Sequence, residues 1–438
     1  MVLRWLSFSF VVLLFAGYSL RGQVPYNFEQ ILILTLCLGG YIFWKQNKNE
    51  VLDKSFKIWV LLLITYWLCL VLISFYHFSF GEVTAQKLQI VSLILGFIVL
   101  GWTILKLKPS IDYFWYFLMT ATLFMGAWLV MEIQAIGLDA FLQGARMGSK
   151  YGNEIKFGVY GNALLIIMMG GLIWAYKKSP LILVIWVLFI FINLIIVVSS
   201  QSRTAWIGWP EAIIGWGGYY LFLILRSHIS ESKKMVIILV PVLFLSLLSS
   251  NSLVKNIFSD RIDAFVNNVS AYIDGSNWYT SIGVRFVMYE ASVNLITKSP
   301  FVGYGADSFE EIIKIESSKI IMERFQEEHP GIELSHVHNQ FLMTWIQYGI
   351  VPVLILLLFF VFTLRFFWLG MRSSEPESKP IFIAGIVFSV ATFMAFLPES
   401  PLEYSGYSAH YWLFLTLVFV FSVIEKNKLI QFKESSHV

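Results

Sequence analysis

Three short polar stations interrupt a chain that is otherwise apolar, and each has residue types suited to charge or proton chemistry at a membrane boundary. The first is Ser199-Ser200-Gln201-Ser202-Arg203-Thr204-Ala205. If a helix begins near Ser202, Arg203 stands at its N-terminus, where free N–H groups and the helix dipole favour an anion. The guanidinium adds a planar fork that fits phosphate oxygens. An arginine snorkelling to lipid headgroups would have the same spacing. The second is Arg285, near the start of a helix predicted from Ser281. The same dipole argument applies, against the plain alternative of a solvated loop arginine. The third is His336-Val337-His338-Asn339, directly before an apolar run. On a helix, histidines at i and i+2 point different ways, so no shared metal is expected. Histidine titrates near neutral pH and can take a proton from a hydroxyl. A boundary histidine that only hydrogen-bonds headgroups is the alternative.

Other ionisable residues carry weaker signals. Glu211 follows Pro210 inside an apolar run, about two turns beyond Arg203. A carboxylate at that depth is costly and is usually paired or functional, and Pro210 is expected to kink the helix there. Glu132 lies inside another apolar run, and His410 opens the last one. Glu399 and Glu403 form the nearest thing to an acidic cluster on their side, and their loop offers no third metal ligand. Pro300-Phe301-Val302-Gly303-Tyr304-Gly305-Ala306 is a glycine-bearing turn with no lysine after it, so no nucleotide site is read there.

Composition says what must position these groups. Hydrophobic residues make up 58% of the chain and charged residues 13%. That is too little charge to cover a water-facing surface, so an all-α integral membrane protein is expected, a single polytopic domain over 1–438. The net charge of +3 comes with no basic tract, which argues against nucleic acid as a partner. Cys37 and Cys69 both sit in apolar runs, so neither a disulfide framework nor a metal site is expected.

Apolar stretches long enough to cross hydrocarbon as helices number about twelve. They run roughly 3–20, 27–44, 57–78, 85–105, 111–136, 157–176, 180–199, 204–225, 235–252, 339–368, 380–397 and 407–424. The first is read as a retained span rather than a cleaved leader. Lysine and arginine concentrate in alternate loops, such as Lys106 with Lys108, Lys177 with Lys178, and Arg372 with Lys379. That bias predicts cytoplasmic termini and places the long loop 253–338 on the outer side. Within the loop, three helices are predicted: an amphipathic one over 258–275 able to lie on the bilayer, one over 281–297 ended by Pro300, and one over 308–328.

Taken together, these segments resemble the O-antigen ligase and polymerase family of bacterial envelope proteins. Ser202-Arg203-Thr204-Ala205 resembles its serine-arginine-small motif. Val284-Arg285-Phe286, followed by Pro300–Gly305 and Phe309, resembles the arginine, proline-x-x-glycine-x-glycine and phenylalanine series. His338-Asn339-Gln340-Phe341-Leu342 with Tyr348-Gly349-Ile350 resembles the histidine-asparagine motif. Arg146 with Gly152-Asn153-Glu154-Ile155 resembles an earlier outer-loop segment. The matches come in the family's order over roughly 145–352.

The resemblance implies a GT-C-like bundle with a helical periplasmic loop and metal-independent glycosyl transfer on the periplasmic face. It needs no cofactor. The donor it implies is an undecaprenyl-diphosphate-linked glycan, and the acceptor is lipid A-core (a ligase) or another lipid-linked repeat unit (an O-antigen or exopolysaccharide polymerase). It makes Arg203 and Arg285 candidates for holding the diphosphate and His338 for activating the acceptor hydroxyl, with Arg146, Asn339 and Glu211 as lesser candidates. The segment at Gly152–Ile155 leans toward the ligase. A protein O-oligosaccharyltransferase is the next reading. A transporter or flippase for lipid-linked sugars would show repeated halves with broken helices, which this sequence lacks.

Overall fold

The computed structural model of the chain describes residues 53–78, 81–150, 153–226, 252–326, 334, 336–375 and 378–435. The expected spans at 3–20, 27–44 and nearly all of 235–252 lie outside the described residues. Regular structure among those residues is entirely helical, and seven of the helices are long and apolar enough to cross a membrane.

The seven are α1 (Lys54–Tyr76), α2 (Glu82–Leu107), α3 (Ile111–Ile136), α4 (Glu154–Lys178), α5 (Pro180–Ser200), α13 (Ile350–Ser373) and α15 (Ser405–Gln431). Local chemistry sets their ends. The Asp53 carboxylate caps α1 by accepting from Ser55 and Phe56 N–H. Ser179 caps α5, which has Pro180 in its first turn, where the missing N–H costs nothing. α15 is buried from Gly406 to Ile424 and forms the axis of the bundle, packed by α2 and by α14 (Lys379–Ala395). α1 and α5, by contrast, turn most of their apolar surface outward, as lipid-facing helices do.

Two expected spans are broken. The stretch expected at 204–225 is α6 (Arg203–Trp206), α7 (Trp209–Ala212), a π-helical turn Ile213–Gly217 and α8 (Gly218–Arg226). Pro210 stands at the start of α7, which accounts for one of the breaks. The stretch expected at 339–368 is α12 (Gln340–Tyr348) followed by α13, divided at Gly349 with φ +77°.

The division at Gly349 has a specific cause. A Cβ there would fall 1.9 Å from the Phe301 carbonyl oxygen, because the glycine-bearing turn 300–305 is laid against the junction. Tyr304 and Gly305 N–H donate to the Ile346 and Gln347 carbonyls at 2.8 and 3.0 Å, and Ile350 N–H donates to Pro300 O at 3.0 Å. Trp345 Nε1 donates to the same Pro300 oxygen at 2.8 Å. The turn thus satisfies carbonyls that the end of α12 would otherwise leave orphaned. Gly303, with φ +65°, allows the same close approach. The motif is a clamp between the long loop and the helix that follows His338.

The loop has its own core, as its helical patterning predicts. α9 (Ser252–Ile273), α10 (Gly283–Lys298) and α11 (Ala306–Phe325) correspond to the three expected helices, α9 beginning earlier than expected. Trp278, Val287, Met288 and Ile313 form the buried centre, and Val337 plugs into it. The Asp307 carboxylate, in the first turn of α11, accepts from Gly81 and Thr84 N–H and so ties the loop to the start of α2.

Candidate active site

His336 and His338 do not lie on a helix, because α12 begins only at Gln340. Val337 between them is fully buried in the loop core, and the two rings fall together on the other side. Their centroids are 4.4 Å apart at 12°, a stacked pair. The expectation that they point different ways is therefore wrong. It assumed a helical backbone where the chain is irregular and His338 takes φ +55°.

Asn339 also differs from expectation. Its side-chain oxygen accepts from Leu342 N–H at 3.0 Å and caps α12, so it sets the helix start rather than the imidazole orientation. The group beside the imidazole is Glu399, from the loop between α14 and α15. Its Oε1 lies 3.3 Å from His336 Nε2 and 3.4 Å from His338 Nδ1, and it accepts Ser400 N–H at 3.2 Å. Both histidine contacts are off the axis of a directed hydrogen bond, so they are electrostatic.

These contacts fix the proton placement. His338 N–H donates to His336 Nδ1 at 3.1 Å. Burial, with a smaller contribution from His338, lowers the His336 pKa to about 4, against the pull of Glu399 and Glu403. His336 is therefore neutral at pH 7 with its proton on Nε2, facing the carboxylate. Burial alone would push the Glu399 carboxyl up, but His338, His336 and the Ser400 N–H together hold it below the ordinary value. A carboxylate facing Nδ1 of His338 favours the tautomer with the proton on Nδ1 and the lone pair on Nε2.

His336, His338 and Glu399 also bring three ligand-type atoms within 4.8 Å of one another, a grouping that the sequence reading, which saw no third ligand, did not anticipate. Nε2 of His336 carries a proton where coordination needs a lone pair, and freeing it would cost the bond from His338 N–H.

Arg285 is the third residue of α10, and Tyr289 lies one turn on, on the same face. The Tyr289 hydroxyl donates to the His338 carbonyl at 3.0 Å and also approaches the Leu397 carbonyl at 3.2 Å. Arg285 and Glu399 are both close enough to shift Tyr289, whose pKa is raised mainly by burial. Arg285 thus lies on the α10 face that carries Tyr289, and its Nε is buried with no hydrogen-bond partner among the described residues.

Arg203 is the first residue of α6, as expected, with the Ser202 hydroxyl capping Ala205 N–H. Its loop is held by its neighbours. Arg146 Nε donates to Ser200 O at 3.0 Å, and Nη1 pairs with Glu154 at 2.7 Å. Gln201 Nε2 donates to Gly144 O. Glu132 accepts from Gly148 and Lys150 N–H and anchors the same strand of loop. Arg146 is thus a positioning residue for the Arg203 loop. α6 packs on α4, and Tyr160 of α4 leads by ring contacts through Tyr407 and Tyr404 to His336. Glu211 is half-buried, with Oε2 lacking a hydrogen-bond partner among the described residues. Among those residues, the histidine cluster's contacts do not include it.

Sequence reasoning missed Tyr289 and the role of Glu399. The available signal for Glu399 was an acidic residue bracketed by Pro398 and Pro401 at a span end in a charge-poor chain. Glu403 pairs with Lys87 of α2 and accepts from Gln347, so it braces the same loop.

The neutral state of His336 predicts an acid sensitivity. Its folded-state pKa lies below its ordinary value of 6.5. The unfolded chain therefore takes up this proton first as pH falls, and the stability is complete above pH 6.5 and lost toward pH 4. The loss is roughly 3 kcal/mol at most. Thermal melts between pH 7 and 4 should fall more steeply for wild type than for His336→Gln, which keeps an N–H donor without titrating. Equal slopes would contradict the assignment.

Residues 187–358 match the family model for O-antigen ligase, in accord with the resemblance carried by the motifs. The matched stretch holds Arg203, Arg285, His336 and His338 and stops before Glu399. An uncharacterized protein of Haemophilus influenzae is 27% identical over 226 residues, covering 51% of this chain and 54% of that one. The chain thus spans about half the length of that curated relative.

Proposed function

We propose, from the O-antigen ligase domain at residues 187–358, that this protein moves a glycan from an undecaprenyl-diphosphate carrier to lipid A-core on the periplasmic face of the inner membrane. The observation that carries the reading is a carboxylate-backed histidine together with a half-buried arginine whose Nε is buried and has no partner among the described residues. One group can take a proton while the other receives an anion. In this reading an acceptor hydroxyl gives its proton to Nε2 of His338 as its oxygen attacks the anomeric carbon. The bond from that carbon to the carrier phosphate breaks, and the diphosphate leaves with the electron pair. Arg285 and Arg203 hold the leaving charge, each charge-assisted contact worth about 1.5–3 kcal/mol. Glu399 holds His338 and stabilises the imidazolium that forms.

The reaction as drawn needs no metal, since arginines take the leaving group and the histidine cluster is wired by its own protons. EDTA should therefore leave transfer unchanged. A polymerase would use the same chemistry with a lipid-linked repeat unit as acceptor. The ligase reading keeps the lead through the segment at Asn153–Ile155, where Asn153 caps α4 and Glu154 pairs with Arg146.

Orientation is part of the proposal. Arg203, Arg285 and His338 share the end of the bundle opposite Lys177, Lys178 and Lys379, and the basic end should face the cytoplasm. In cells with a permeabilised outer membrane, an impermeant thiol reagent should label Ser270→Cys and spare Lys428→Cys. The opposite pattern would invert the topology and remove the site from the donor's side.

A further inference from the structure

At the end of the bundle away from His338, a cavity of about 300 Å³ opens between α3, α4, α14 and α15. It lies where the spans meet the basic loops, at the headgroup level of the opposite leaflet. Its polar lining has both signs of charge. Lys178 pairs with Asp112 at 2.7 Å, and Trp174 Nε1 donates to the other oxygen of Asp112 at 2.7 Å. Lys177 lines the same cavity, and across it stands Glu425, which accepts from Ser378 at 3.2 Å and from Lys428 at 2.5 Å. The floor is apolar and aromatic, with Trp115 buried beneath.

We propose that this cavity holds the headgroup of a zwitterionic diacyl phospholipid, with its phosphate on Lys177 and Lys178 and its primary ammonium on Glu425 and Asp112. Lysines between spans on the cytoplasmic side attract lipid phosphates. Two carboxylates in the same cavity select among such lipids. A glycerol headgroup offers Glu425 and Asp112 only neutral hydroxyl donors, whereas an ethanolamine ammonium offers three charge-assisted N–H donors.

The surface beside the cavity distinguishes a lipid from a soluble phosphate compound. The Tyr116 ring sits edge-on to Trp174 at 5.2 Å. From it an apolar stripe runs down α3 through Leu123 and Val130, which are 58% and 53% exposed. These positions, seven apart, share one helix face, so acyl chains leaving the cavity have an uninterrupted track.

Native mass spectrometry tests this on the full chain, purified in detergent and offered equimolar phosphatidylethanolamine and phosphatidylglycerol with identical acyl chains. Wild type should retain the ethanolamine lipid about tenfold or more over the glycerol lipid, the scale of one charge-assisted contact. Glu425→Gln should bring the two toward equality, and Lys177→Gln should weaken retention of both. Soluble glycerophosphoethanolamine should not displace the bound lipid, which keeps a readout on wild type even if a variant fails to fold. Equal retention in wild type, an unchanged preference in Glu425→Gln, or displacement by the soluble headgroup would each overturn the proposal.

Discussion

Replacing His338 with alanine should lower the turnover of purified protein by about 10²–10⁴-fold, the usual cost of losing a general base. Binding of the lipid-linked donor should survive, because the diphosphate contacts proposed for the arginines do not involve the ring. His338 is the member of the histidine pair suited to the role. Its side chain is 32% exposed, against 14% for His336, and Glu399 faces its Nδ1. His336 is the less exposed ring, neutral and turned toward the carboxylate, so His336→Ala should be milder. Glu399→Gln keeps the shape and removes the charge, so it should lower kcat while leaving the KM for donor near wild type. A dead His336→Ala beside an active His338→Ala would exchange the two roles. Full turnover in His338→Ala would leave a dissociative departure of the donor, with no base, as the surviving form of the mechanism.

Arg285→Ala should cost about 10²–10³-fold in kcat, comparable to removing one preorganised donor to a developing anion. The reason is local. Its Nε is buried without a partner among the described residues, so the guanidinium is placed for an anion rather than for an internal ion pair. Arg285→Lys keeps the charge but loses the fork, and only partial rescue is expected. Protein abundance should stay near normal, since the core of α10 is made by Val287, Met288, Ala291 and Leu295 rather than by Arg285. Retained transfer with lost abundance would mark Arg285 as a folding residue. Arg203→Ala is expected to behave like Arg285→Ala in rate, while Arg146→Ala should act through the Arg203 loop that it anchors.

Much of this was legible because membrane physics is strict. Runs such as 180–199 must be helical to satisfy their backbone in hydrocarbon, and α5 matches that run closely. The loop helices were legible because Ile262, Phe265, Val266 and Ile273 recur at helical spacing and Pro300 ends what precedes it. At 207–217 Pro210 signalled a kink but not the full extent of the break, and the break at Gly349 gave no signal, because the apolar composition is the same on both sides. What breaks α12 from α13 is a turn more than forty residues upstream, whose carbonyl occupies the space of a Cβ at 349.

The site shows the same division. Arg203, Arg285 and His338 were found through motifs, each of which needs only local sequence. Glu399 reaches His338 through the tertiary fold, and its loop is drawn in by Gln340, whose N–H donates to the Phe396 and Glu399 carbonyls and whose Oε1 accepts from Leu402 N–H. Nothing local to either segment records that contact. The stacked histidine pair was missed because helical geometry was assumed four residues too early, from His336 rather than Gln340.

Reconstitution in proteoliposomes bears most directly on the central claim, that this site transfers a carrier-linked glycan with release of its diphosphate. Wild type would be given an undecaprenyl-diphosphate-linked glycan, with lipid A-core and a lipid-linked repeat unit as competing acceptors, and all lipid products would be weighed by mass spectrometry. The account predicts free undecaprenyl diphosphate in step with glycan joined to lipid A-core, and neither product from His338→Ala. Glycan lengthened on its carrier would make the protein a polymerase working through the same residues. Intact donor with no diphosphate released, under conditions where it binds wild type, would contradict the account.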